Sequence, residues 1–205
     1  MSVRRTGRRF GNGADRMGRN VMLYVKTPFD GTRSGERTEV SRSHRLLARA
    51  AALYAGGEPG DFEKLAFAAQ GKPYFPACPQ IHFSISHSGA VWACAMAADE
   101  IGLDVQKPRA QNAAGIARRF FHPLERAYLE RWGADAFFRV WAAKESVCKY
   151  RGTGIDGTFS HFSVSDGACL LTRMEDLRLY HFTLCGEYAA CLCTEGGAVW
   201  RTAYL

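Results

Sequence analysis

One carboxylate stands alone in the apolar run Ile101-Gly102-Leu103-Asp104-Val105, and a chain can bury such a run only where something meets the charge. An Asp in a half-buried strand is costly unless it is paired or bound to a metal. About forty residues later comes a second motif, Trp141-Ala142-Ala143-Lys144-Glu145-Ser146-Val147-Cys148-Lys149. Its pattern is helical, so Glu145 and Lys149 stand one turn apart, with Trp141 one turn earlier on the same face.

Each motif also has an ordinary reading. Asp104 could cap a turn or pair with an Arg. Glu145 and Lys149 could be a surface ion pair worth about 0.3–0.5 kcal/mol. A face running Trp141, Glu145, Lys149 is nevertheless unlike an ordinary solvated one. Upstream lie Gly71-Lys72-Pro73 and Ser84-Ile85-Ser86-His87-Ser88. The second is read as a strand ending in a polar turn before Gly89, where hydroxyls and amides can cradle an anion. No GxSxG elbow, Walker A loop or GxGxxG is present, so hydrolase, P-loop and dinucleotide-fold chemistries have no support.

The chain has 205 residues, long enough for one large domain or two small ones. Its net charge of +7 suggests nucleic acid, but the charge is unevenly placed. Residues 1–20 hold six Arg and one Asp, while residues 21–205 hold 21 Lys and Arg against 19 Asp and Glu. The basicity belongs to a Gly/Arg/Asn-rich leader with too little apolar surface to fold. It is read as a disordered arm, or as the product of a start codon assigned too early. An RNA-binding protein using this arm is the alternative function; it leaves the acidic motifs of the body unexplained. No apolar run approaches the ~20 residues that cross a bilayer, and no signal-peptide stretch is visible, so a cytoplasmic protein is expected. The seven Cys form no CxxC. They read as scattered buried thiols in a reducing compartment rather than metal ligands or disulfides.

The pattern along the chain is α+β. Val21 to Val25 is a strand. Ser41 to Ala55 is a helix stopped by Gly56-Gly57. Ile81 to Ile85 is a strand, and Val91 to Ala98 and Ile101 to Val105 read as a hairpin joined by Asp99-Glu100. Pro123, after His122, starts a helix. Phe137, Val140, Trp141, Val147 and Cys148 stripe the next one, which Gly152-Thr153-Gly154 ends. From Phe159 the chain is strand-rich: Phe162/Val164, Cys169 to Leu171, Leu177 to Leu184, Tyr188 to Cys193 and Val199 to Tyr204. The expected division is residues 1–20 as the arm, 21–105 as an N-terminal α+β half and 106–205 as a C-terminal one.

Taken in order, GKPxF, FSISHS, GLDV and WxxKESxxK resemble the phosphopantetheinyl transferases, specifically the longer subclass similar to the surfactin-synthetase-activating (Sfp-like) enzymes. The resemblance covers roughly residues 41–165. It is strengthened by Ser43-His44-Arg45, Arg119-Phe120-Phe121 and Phe159-x-x-Phe162-Ser163-Val164. It implies a pseudo-twofold pair of similar α+β halves with the active site in the cleft between them. It further implies transfer of 4′-phosphopantetheine from coenzyme A to a serine of an apo acyl or peptidyl carrier protein, with release of adenosine 3′,5′-bisphosphate. On that resemblance, Asp104 and Glu145 hold Mg²⁺, and Lys149 steadies the transferred phosphate. Glu145, or a water beside it on the metal, takes the serine proton. Lys72, Pro73, Ser86 and His87 hold coenzyme A, and Arg45 its 3′-phosphate. The shorter carrier-protein synthases of the superfamily trimerise; a chain of this length is expected to act as a monomer. The chain departs from the pattern in two places. Where the family often carries a second acid, two residues after the strand Asp, this chain has Gln106, and a water could fill that place in the metal shell. Between Val25 and Ser43 the usual 3′-phosphate residues cannot be aligned, with Arg33, Arg37 or Arg42 as substitutes. A degenerate member that only binds carriers is a further alternative, opposed by the intact Asp104, Glu145 and Lys149.

Overall fold

The computed structural model describes residues 19–29, 36–110 and 112–205. The Arg-rich leader therefore lies outside the described residues, except Arg19 and Asn20, which the first strand takes in. Arg33 also lies outside them.

Among the described residues, ten strands and four α-helices make a mixed α+β fold, as the pattern predicted. The first sheet contains β1 (Arg19–Lys26), β4 (His82–Ser88), β5 (Val91–Ala97) and β10 (Ala198–Tyr204), in the order β10-β1-β5-β4. The second contains β6 (Ile101–Gln106), β7 (Arg173–Met174), β8 (Leu177–Leu184) and β9 (Tyr188–Glu195), in the order β6-β9-β8-β7. A small hairpin pairs β2 (Ala66–Phe67) with β3 (Pro73–Tyr74). The helices are α1 (Glu36–Ala55), α2 (Ala113–Phe120), α3 (Pro123–Trp132) and α4 (Ala136–Arg151).

Side-chain alternation sorts these elements into layers. Trp92, Cys94 and Met96 of β5 pack with Leu47, Ala50 and Ala51 of α1. The intervening Val91, Ala93 and Ala95 meet Ile101, Leu103 and Val105 of β6 and Leu192 of β9. On the far side of the second sheet, Val140, Ala143 and Val147 of α4 pack on Leu179, Cys191 and Cys193. The order is helix, sheet, sheet, helix. β5 is apolar along its whole length because both its faces are covered.

Three expectations are corrected. β5 and β6 do not form a hairpin. β5 already has β1 on one edge and β4 on the other, so β6 finds no open edge there, and Asp99-Glu100 carries the chain across to the second sheet. Ser86, His87 and Ser88 belong to β4, which pairs with β5 through Ser88 opposite Val91 and turns only at Gly89, where φ is +54°. Between Phe162 and Leu171 there is no strand, only an isolated bridge from Ser165 to Leu170, because the Asp166 carboxylate caps a tight turn at Ala168 and Cys169. β6 lies in the second sheet, and β10 returns to pair in parallel with β1.

The junction between the sheets is polar by necessity. β6 is an edge strand, and the N–H groups on its outer side need acceptors. Serines at alternate positions of β4 supply them. Leu103 N donates to Ser84 Oγ (2.9 Å), Val105 N to Ser86 Oγ (3.1 Å) and Lys107 N to Ser88 Oγ (2.9 Å). The Ser-x-Ser-x-Ser motif is thus a zipper between the two sheets.

Candidate active site

Gly102 determines how close α4 comes to β6. A Cβ at this position would stand 1.9 Å from the Ser146 carbonyl oxygen and 2.7 Å from the Tyr150 nitrogen, so only glycine lets the helix backbone rest on the strand. Asp104, two residues on, shares that face. Its side chain is almost wholly enclosed, and Lys149 Nζ reaches its Oδ1 at 2.7 Å. Ser86 Oγ donates to the same oxygen at 2.8 Å, and Gln106 Nε2 donates to Oδ2 at 2.8 Å. The charge in the apolar strand is therefore met by one ion pair and two hydrogen bonds.

Glu145 stands one turn before Lys149, half-buried. Burial, reinforced by the negative charge of Asp104, pushes its carboxyl above the ordinary value, and Lys149 pulls the other way. A carboxyl whose proton affinity is raised by burial and by a second carboxylate close by suits a cation. Among the described residues, no three or more His, Cys, Asp or Glu side chains are grouped as metal ligands. A pair of carboxylates fits Mg²⁺, which takes one or two carboxylates and completes its shell with water and substrate oxygens. A closed site made only of protein ligands, as for structural zinc, does not fit these residues.

A cavity of about 240 Å³ opens beside this centre, lined by Lys72, Pro73, Ser84, Ile85, Lys149 and Gly152 among others. It brings together the β2–β3 hairpin, β4 and the end of α4. Lys72 and Pro73 thus line the same cavity as Lys149. The Lys72 ammonium is itself engaged: it pairs with Glu100 and donates to the carbonyls of Ile101 (3.1 Å) and Tyr150 (3.3 Å). It clasps the start of the Asp104 strand to the last turn of the Glu145 helix. Ser86, expected among the phosphate-holding groups, has its hydroxyl on Asp104 and the Val105 N–H.

Arg45 lies elsewhere, in a basic depression with Lys26, Phe29, Arg42 and Arg49. His87, exposed on β4, packs its ring against Phe29, with centroids 5.9 Å apart. Arg45 and His87 therefore adjoin a common aromatic residue, on the opposite side of β4 from Ser86 and Asp104. Four cationic side chains line this one depression, Lys26 among them with its ammonium on the Leu205 carbonyl.

One charged pair was not legible as a unit. Lys144, fully buried, pairs with buried Glu125 at 3.0 Å, donates to the Phe162 carbonyl at 2.8 Å, and lies 4.0 Å from the centre of the Phe162 ring. Glu125 also accepts from the N–H groups of His122 and Val164. The signal was present in part, since His122-Pro-Leu-Glu125 is a helix-start pattern. Nothing in the spacing showed that Lys144 points inward while Glu145 beside it faces Asp104. The thiols of Cys148 and Cys191, just behind the centre, are pushed up by burial to about 11 and about 12, which leaves them protonated and inert.

Residues 100–195 match the sequence family described as the 4′-phosphopantetheinyl transferase superfamily. The chain is 38% identical over 125 residues to a 4′-phosphopantetheinyl transferase of Bacillus subtilis, covering 58% of this chain and 54% of the relative. It is 38% identical over 98 residues to the 4′-phosphopantetheinyl transferase Sfp of Bacillus subtilis strain 168, covering 46% and 43%. It is 31% identical over 146 residues to the 4′-phosphopantetheinyl transferase AcpT of Escherichia coli K12, covering 65% and 73%. The chain spans about half the length of the Bacillus relatives.

Proposed function

The chain belongs to the 4′-phosphopantetheinyl transferase superfamily, and from that premise we propose that it moves 4′-phosphopantetheine from coenzyme A to a serine of an apo acyl or peptidyl carrier protein. The observation that carries this reading is the convergence of Glu145 and Lys149, one turn apart on α4, upon Asp104 of β6 at the mouth of a cavity. In this reading the two layered sheets with their outer helices are the related halves of a pseudo-twofold pair, and the reaction takes place at their junction.

Coenzyme A lies with its pyrophosphate beside Lys149 and its 3′-phosphate toward the cations around Phe29. Arg45 and Arg42 serve the 3′-phosphate, and His87, against Phe29, adjoins the same end of the coenzyme. Lys72 and Pro73 wall the cavity. Asp104 and Glu145 would hold Mg²⁺, which when bound neutralises charge gathering on the pyrophosphate. Lys149, held by Asp104, places its ammonium against the transferred phosphate. The carrier serine oxygen bonds to the phosphorus that bears pantetheine, and the bond from that phosphorus to the bridging oxygen breaks. Adenosine 3′,5′-bisphosphate leaves with the bridging oxygen. Glu145, whose proton affinity is raised by burial and by Asp104, accepts the serine proton. The nucleophile comes with the substrate, which accounts for a site without an activated Ser or Cys. A cytoplasmic setting accords with seven unpaired thiols and with the lack, among the described residues, of a helix long and apolar enough to cross a membrane.

The test is to incubate the protein with coenzyme A, Mg²⁺ and apo carriers from fatty acid, polyketide and nonribosomal peptide pathways, and to weigh the carriers. A gain of one phosphopantetheine group is expected on at least one of them; a panel left unmodified by folded protein refutes the reading.

A further inference from the structure

Gln106 is the next residue after Asp104 on the side of β6 that faces α4. Its Nε2 donates to Asp104 Oδ2 at 2.8 Å. The reverse orientation of the amide would set its oxygen against a carboxylate oxygen, two acceptors with no proton between them, so chemistry determines which end faces Asp104. At the other carboxylate oxygen, Oδ1, both Lys149 Nζ and Ser86 Oγ donate. A free Asp carboxylate turns easily about its last torsion, which has no sharp rotamer wells. Here donors grip it from both ends.

We propose that Gln106 is a positioning residue that makes metal binding and coenzyme A binding depend on one another. It fixes the Asp104 carboxylate so that Oδ2 alone is presented to an ion, and its neutral amide leaves the chain only Asp104 and Glu145 as charged ligands. This rests on the transferase reading.

The consequence follows from charge and from the number of ligands. Chelation by both oxygens of Asp104 would require Oδ1 to release Lys149 or Ser86. Lys149 offsets one of the two negative charges, so the protein alone offers a divalent ion little net attraction. A hard cation that wants six oxygens then has to draw several from water or from the substrate pyrophosphate. The pyrophosphate adds both oxygens and negative charge. Ion and coenzyme A therefore raise one another's affinity by the same factor, as linkage requires.

The experiment uses Mn²⁺ as the probe, its free and bound forms separated by electron paramagnetic resonance, with and without saturating coenzyme A. Coenzyme A is titrated calorimetrically in parallel, with and without Mn²⁺. For the native protein, coenzyme A should tighten Mn²⁺ about tenfold or more, and Mn²⁺ should tighten coenzyme A equally. Gln106→Ala should weaken Mn²⁺ roughly tenfold both with and without coenzyme A, the effect of losing a residue that orients a metal ligand. Gln106→Glu should tighten Mn²⁺ in the absence of coenzyme A and shrink the mutual factor, because a third carboxylate supplies what the pyrophosphate otherwise brings. Circular dichroism spectra matching the native protein confirm that both variants are folded. If Gln106→Ala leaves Mn²⁺ affinity unchanged in both conditions, Gln106 does not position Asp104. If the native protein shows no mutual tightening, the coupling is refuted. If coenzyme A fails to bind the native protein at all, it is the transferase reading that fails, and the calorimetric titration shows this separately.

Discussion

At the scale of single residues, two buried charge arrangements with different tasks sit side by side on α4. Lys144 and Glu125 form a closed pair whose remaining polar atoms are satisfied by the carbonyl of Phe162 and the N–H groups of His122 and Val164. Removing one partner strands the other in the interior, so Lys144→Met should cost about 3–5 kcal/mol, measured by denaturant unfolding. Adding Glu125→Gln should recover part of that loss, because a neutral amide still accepts from Val164 and no longer leaves a charge unpaired. Glu145 is different, because it is open to a ligand. Its raised carboxyl value means that the fold holds this proton more tightly than the unfolded chain does. The stability it contributes is present below the unfolded value and is lost as pH rises through the folded one. Metal-free Glu145→Gln should therefore melt higher than the native protein at neutral pH, with a gap that shrinks toward acid. For a chain of this length, a difference of about 1 kcal/mol appears as roughly 2–4 °C in thermal melts at pH 5 and pH 8. A half-buried carboxylate left open to a ligand commonly reduces stability in this way, which separates Glu145 from Lys144 although they are neighbours in sequence.

At the scale of elements, the site depends on one close approach. Gly102→Ala would place a methyl group inside the Ser146 carbonyl, and no side chain can move to relieve the contact because the obstacle is helix backbone. The strain should reach or exceed the upper end of the ~1–3 kcal/mol typical of overpacking. Activity should fall further than stability, since a shifted α4 carries Glu145 and Lys149 away from Asp104; comparing transferase rate with unfolding midpoint in the same variant checks this. Element ends were legible in the sequence because they rest on local chemistry. His122-Pro123 begins α3, and Gly152, at φ +74°, closes α4. Partners were not legible in the same way. That β6 leaves β5 for β9 depends on which edges are already filled, and no local pattern carries that information. Asp104, Glu145 and Lys149 were legible as a group through the order of their motifs. Ser86 was legible as a member of the site, but its contacts with Asp104 and Val105 were not, because a serine that accepts from a neighbouring strand looks the same in sequence as one that binds an anion. Lys72 was ambiguous for a similar reason: its partner Glu100 lies in the crossover that was read as a hairpin turn.

At the scale of the whole molecule, the chain interleaves two sheets between outer helices, and the polar seam between them carries Ser86 to Asp104. β6 and α4, close neighbours at Gly102, supply both carboxylates and the lysine, while β4 and the β2–β3 hairpin enclose the adjoining cavity. The task proposed for this junction is the phosphoryl transfer. Its most direct measurement is a single-turnover reaction with coenzyme A, Mg²⁺ and a responsive apo carrier, following the carrier's mass and released adenosine 3′,5′-bisphosphate together. The two should appear in equal amounts with the native protein, and folded Glu145→Ala should slow both by at least about a hundredfold. Near-native rates in Glu145→Ala, or carrier modification without the bisphosphate, would contradict that assignment.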